Sequence, residues 1–343
     1  MNHLQFWRGP TLLHSAPVAT VVANSTLNQA FLLIMTLMIV VTTVNMGAQL
    51  DLNIIRDVFR RPVGPLVGFV AQFLFMPAIS LLVGYLFTED RLFRLGLFVL
   101  GCSPGGSGSN FWTLLLGGDV NLSITMTFVS TIAALGMMPA WIFLVGPYLT
   151  DGDLVIPFGQ LLTSLVGLIL PIALGMWIRW KWAKAGAIMQ RIIVPFTLLT
   201  VLFILTAGVY INLFIFQLIT PLMVAAGFVV AVCGYVVGAA LAWAFRLSLP
   251  QITAVSIETS FQNGGIAFVL LKMSFPEPQG ELASVAPVAQ LMITGLPLWF
   301  VLAAVKLYGC YRARGGEKKT SSKNLDYEAV AEPLEKTTID VNK

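Results

Sequence analysis

Ile257-Glu258-Thr259-Ser260-Phe261-Gln262-Asn263-Gly264-Gly265 sets an acid, two amides and two glycines in the middle of the otherwise apolar stretch 250–274. Gly101-Cys102-Ser103-Pro104-Gly105-Gly106-Ser107-Gly108-Ser109-Asn110 does the same inside the apolar stretch 93–116. Four glycines and a proline within residues 101–108 cannot continue an α-helix without a break. In a bilayer, unwound backbone survives only where protein or a water-filled cavity covers it. Two membrane helices broken at mid-span therefore predict an interior site at the breaks.

The composition places the whole chain in that class. Of 343 residues, 57% are hydrophobic and 10% charged, against roughly 25% charged in a soluble domain. Nine apolar stretches follow one another, near 28–49, 63–87, 93–116, 120–148, 156–178, 187–214, 218–245, 250–274 and 284–309. The expected fold is an all-α membrane protein with nine transmembrane helices. The expected division is a tail at 1–27, a transporter domain at 28–310 and a polar, disordered tail at 311–343. The interrupted stretches are the third and the eighth, five apart. An odd offset inverts the second copy, so paired breaks at that spacing predict an inverted repeat, with the first helix of the first repeat missing.

Arg56, Arg60 and Arg61 follow the first stretch, Arg179, Lys181 and Lys184 the fifth, and Arg246 the seventh. All fall on one side of a nine-span chain, as do Arg312, Arg314, Lys318 and Lys319 of the tail. The positive-inside rule makes that side cytosolic and puts the amino terminus outside. The sequon Asn24-Ser25-Thr26 then reads as an extracellular glycosylation site. Cys102, Cys233 and Cys310 are too scattered for a disulfide framework or a zinc site. No basic run interleaved with aromatics offers a nucleic-acid surface.

Glu258 is the one acid or base expected deep in a span; Arg94, Lys272 and Lys306 fall near span ends, where their side chains can reach the interface. A lone carboxylate there costs at least ~2–3 kcal/mol unless it is protonated, paired or bound to a cation. Thr259, Gln262 and Asn263, with the carbonyls freed by the break, give it an oxygen-rich setting. Hard cations take such ligands, whereas sulfur and imidazole select other metals. Ser109 and Asn110 at the other break and Ser123 and Thr127 on the fourth stretch are read as ligands of that ion. Ser130 and Thr131 are read as helix packing, and Gln72 is open between an interhelical hydrogen bond and a ligand. Asp119 is read as a helix cap. The chain is not expected to be an enzyme: its two histidines, His3 and His14, lie in the outer tail, and no intramembrane aspartate pair exists.

Gly101-Cys102-Ser103-Pro104-Gly105-Gly106, Ser109-Asn110, Glu258-Thr259 and Gln262-Asn263 together resemble the bile acid:sodium symporter family in its animal form. The likeness extends through Gly118-Asp119-Val120-Asn121-Leu122-Ser123, Ala134-Leu135-Gly136-Met137-Met138-Pro139 and Gly47-x-Gln49-Leu50, over roughly residues 28–310. The resemblance implies a core domain holding two crossing broken helices and a panel domain of outer helices. It implies two sodium ions as coupling ions. One site would use Ser109, Asn110, Ser123, Thr127 and Glu258. The other would use Gln72, Glu258, the backbone oxygens of Thr259 and Phe261, and Gln262. A bile acid or related amphipathic anion would bind near Ser107 and Asn263. Ser260-Phe261 and Gly264-Gly265 depart from the family's usual residues, so a steroid sulfate is the alternative substrate. A receptor-like member that binds sterols without transport and a channel are the rival functions. The implied setting is the plasma membrane, with lipid as a partner and homodimerisation left open.

Overall fold

The computed structural model describes residues 25–308 apart from 50–55, 57–59, 61, 107, 151–157, 204–205, 208–209 and 211–212. Its helices are α1 (Ser25–Gln49), α2 (Val63–Phe87), α3 (Arg91–Gly101), α4 (Gly108–Leu115), α5 (Val120–Thr150), α6 (Phe158–Lys181) and α7 (Ala183–Phe203). After them come α8 (Leu213–Leu218), α9 (Pro221–Ala244), α10 (Leu249–Ser260), α11 (Gly264–Ser274) and α12 (Gln279–Ile293). Among the described residues there is no β-strand. The chain forms two compact units, Met1–Thr294 and Gly295–Lys343; the described part of the second is the helix 296–308. By length and composition, Val63–Phe87, Val120–Leu149, Pro221–Ala244 and Gln279–Tyr308 are each long and apolar enough to cross a bilayer.

The two expected breaks are present. α3 ends at Gly101 and α4 starts at Gly108; α10 ends at Ser260 and α11 starts at Gly264. Each half-helix is shorter than the roughly 20 residues that cross a bilayer as one helix. Asp90 caps α3, its Oδ1 accepting from Leu92 N–H at 2.9 Å and Phe93 N–H at 3.0 Å. Asp119 caps α5 as expected, accepting from Leu122 N–H at 3.0 Å.

Close helix approach is built on small residues. A Cβ at Gly96 would overlap the Ala283 carbonyl, so α3 lies directly against α12. Gly234 and Gly238 admit the backbone of Ser260 and Ser256, seating α9 on α10. Ser256 and Ser260 then donate to the Tyr235 and Ala231 carbonyls at 2.8 and 2.7 Å. α1 and α6 cross at Gly47 and Gly175, and Arg179 Nη1 donates to the Ala48 carbonyl at 3.1 Å near the end of α1. α2 and α5 run in parallel register: Leu122 lies over Gly64 and Met126 over Gly68, one helical turn further along both. A core of Leu95, Phe98, Met138, Ile142 and Leu271 holds α3, α5 and α11 together.

Lys272 lies in the last turn of α11, near the span end as expected, and is enclosed there. Its side chain is 4% exposed and pairs with Glu281 at 2.9 Å, tying the end of α11 to the first turn of α12. Helix pairing around the connection at 275–278 encloses this charge against α12.

Candidate functional site

The breaks cross each other. Gly106 N–H donates to the Phe261 carbonyl at 2.7 Å, and Asn263 N–H to the Pro104 carbonyl at 2.8 Å. Gly105 and Gln262 thereby form an isolated antiparallel bridge. Each unwound segment supplies the backbone partners that the other lost by leaving the helix, so the crossing is stable without water. Gly105 N–H, facing α5, donates to Ser130 Oγ at 3.1 Å.

Glu258 stands at the end of α10 beside this crossing, 2% exposed. Ser109 Oγ donates to its Oε2 at 2.5 Å, Ser123 Oγ to the same oxygen at 3.1 Å, and Thr127 Oγ1 to Oε1 at 2.6 Å. Asn110 Oδ1 joins the group, 2.8 Å from Ser123 Oγ and 3.5 Å from Thr127 Oγ1. The five residues expected at the first site are thus brought together from α4, α5 and α10. Their hydroxyls also lie within bonding distance of the Gly106 and Ser123 carbonyls. The carboxylate is thus held only by neutral hydroxyl donors, an oxygen-rich setting of the kind a hard cation takes. Among the described residues Glu258 takes part in no ion pair. No cluster of His, Cys, Asp or Glu that could hold a transition metal occurs among them either.

Gln72 lies on the other side of the crossing, 3% exposed. Its Nε2 donates to the Ser103 carbonyl and to Gln262 Oε1, both at 2.7 Å. Gln262 Nε2 donates in turn to the Thr259 carbonyl at 2.7 Å. Gln72 Oε1 is buried without a hydrogen-bond partner, and Gln72 and Glu258 are both among the residues that line one small cavity. A buried orphan amide oxygen on a residue that shares a cavity with a carboxylate fits a cation. Of the two readings left open for Gln72, the interhelical bond is the one observed: its nitrogen makes it, while its oxygen has no partner. The Phe261 carbonyl already accepts from Gly106 and keeps its second lone pair.

Asn263 caps α11, its Oδ1 accepting from Ile266 N–H at 3.1 Å. Ser107 and Asn24 lie outside the described residues.

Two features of the site had not been expected. Residues 71–75 form a π-helical turn, the kind of single-turn bulge that recurs at functional sites; it carries Gln72. Pro77 follows it and cannot donate to the preceding turn, and the Phe73 carbonyl is taken instead by the Trp141 indole N–H of α5 at 2.7 Å. Pro77 next to Gln72 was a usable signal for that bulge. Ser130, read as packing, holds Gly105 and lines the cavity.

A helical membrane protein whose two broken helices cross over a buried, oxygen-ringed carboxylate has the architecture of a secondary transporter. Residues 36–219 match the model of the sodium bile acid symporter family. The chain is 31% identical to the sodium-dependent organic anion transporter of Bos taurus, over 88% of this chain and 83% of that one. It is 29% identical to the ileal sodium/bile acid cotransporter of Homo sapiens, over 86% of each. It is 34% identical to the P3 protein of Mus musculus over 73% of this chain, and spans about half (53%) of that relative's length. The chain belongs to the sodium bile acid symporter family.

Proposed function

We propose that this chain is a sodium-coupled symporter for a bile acid or a related amphipathic organic anion. The observation that carries the reading is Glu258, buried, without a cationic partner among the described residues and ringed by the neutral oxygens of Ser109, Asn110, Ser123 and Thr127. One sodium ion is held by Ser109, Asn110, Ser123, Thr127 and Glu258. A second is held by Gln72 Oε1, Glu258, Gln262 and the carbonyls of Thr259 and Phe261.

In this reading nine spans divide into a core and a panel, and the amino terminus with Asn24 faces outside at the plasma membrane. The sodium ions neutralise Glu258 and brace the crossing from both sides. The anion binds next to the crossing, where α4 and α11 begin and their partial positive ends face it; Ser107 and Asn263 lie there in sequence. Movement of the core against the panel then exposes the loaded site to the other side. Two sodium ions with one monoanion carry net charge inward, and each such charge contributes about 2.3 kcal/mol per 100 mV.

The test is uptake of radiolabelled bile acid and steroid sulfate into cells, in sodium and in choline medium, for the native chain and Glu258→Gln. Uptake should be saturable, should stop in choline and should be lost in the variant. Equal accumulation under all conditions overturns the reading. Sterol binding without accumulation would make it a receptor, and unitary currents a channel.

A further inference from the structure

The cavity beside Glu258 has a direction. It holds about 10 Å³, the space of one water-sized particle. Gln72, Ser130 and Glu258 line it together with Pro65, Gly68 and Met126. On α2 its lining runs from Gln72 back to Pro65, about two turns or ~10 Å at 1.5 Å per residue, along the α2–α5 seam toward the face where both helices begin. Met126 is 5% exposed and fills a notch that exists because residue 68 is glycine: a Cβ there would overlap the Met126 methyl and lie 2.9 Å from its sulfur. One turn nearer that face, Leu122 sits on Gly64 in the same way. A methionine has three rotatable side-chain bonds, no branch at Cβ and a sulfur that is a poor ligand for a hard cation. It can swing aside without moving the backbone and without trapping the ion. The next residue, Thr127, is bonded to Glu258, so the state of the carboxylate is felt one residue from the plug.

We propose that Met126, seated on Gly68, is the plug of a passage along the α2–α5 seam through which the coupling cation reaches or leaves the Glu258 site. The cation rests on the symporter reading; the passage does not.

The experiment uses the full chain in proteoliposomes and two readouts. The first is exchange of radioactive sodium with sodium, bile acid and steroid sulfate each at equal concentrations on both sides. Met126→Ala should speed it roughly tenfold, as a barrier lower by ~1.4 kcal/mol gives, and Met126→Phe should slow it to a similar degree. The second is the rate at which a small cationic thiol reagent modifies Ser130→Cys, corrected for the native cysteines and measured with Met, Ala or Phe at 126. It should follow the same order. Labelling that ignores the size of residue 126 overturns the plug. Labelling that follows that size in a protein with no sodium exchange upholds the plug and refutes the cation reading. Sodium exchange unchanged by both substitutions refutes Met126 as the barrier to the ion.

Discussion

Gly105→Ala adds one methyl group at the most crowded point of the site. A Cβ there would overlap Glu258 Oε1 and lie 3.4 Å from Ser130 Oγ. The backbone cannot retreat, because Gly105 N–H is held by Ser130 and its neighbours Gly106 and Pro104 are bonded to Phe261 and Asn263. The carboxylate has to move, and the Thr127 hydroxyl, 2.6 Å from Oε1, loses its charged partner. Overpacking costs ~1–3 kcal/mol and a lost hydrogen bond to a charged group ~1.5–3 kcal/mol. Partial relaxation leaves a net effect of about 2–4 kcal/mol on the cation-ready site, roughly a 30- to 1,000-fold loss of sodium affinity. The assay is the sodium concentration that half-activates uptake, with thermal unfolding of the purified protein to separate folding from binding. Gly108→Ala is the control in the same break, since its Cβ would meet only the Phe261 ring at 3.4 Å; it should stay close to the native value. Native sodium activation in Gly105→Ala would refute the placement of the carboxylate against the crossing.

Gln72→Leu removes the donor shared by the Ser103 carbonyl and Gln262 Oε1 together with the free oxygen of the cavity; sodium activation of uptake should change from sigmoidal to hyperbolic, and an unchanged sigmoid would remove Gln72 from ion binding. Lys272→Met strands Glu281, which is only 14% exposed, and should destabilise the protein by ~3–5 kcal/mol. Adding Glu281→Leu should restore most of that stability, and thermal melts of both variants decide whether the pair acts as one unit.

The crossing of the two breaks was only partly legible in the sequence. The glycines and Pro104 announce that the third span cannot stay helical, and Glu258 among amides announces the eighth, because helix breaking and the cost of a charge in hydrocarbon are local. The grouping of Ser123 and Thr127 on one face follows from helical spacing alone. Ser130 shares that spacing, but its acceptance of the Gly105 N–H depends on which face of α5 meets the break. Gln72 needed the π-turn at 71–75 to bring it to the crossing, and a bulge of this kind depends on packing with Trp141 as well as on Pro77. Lys272 is legible as a residue near a span end, but its partner is not, because Glu281 arrives from the next helix.

Taken alone, the sequence determined that the chain is a helical membrane protein with two interrupted spans and an unpaired acid at one of them. Those features follow from the free energy of each residue and its near neighbours in an apolar solvent, which sums along the chain. Only the tertiary structure decided that the interruptions bond to each other, that Ser109 and Thr127 meet a carboxylate 149 and 131 residues away, and that a glycine notch seats Met126 beside it. Such contacts depend on how whole helices pack, and a bonding partner more than a hundred residues distant leaves no periodic trace in the chain.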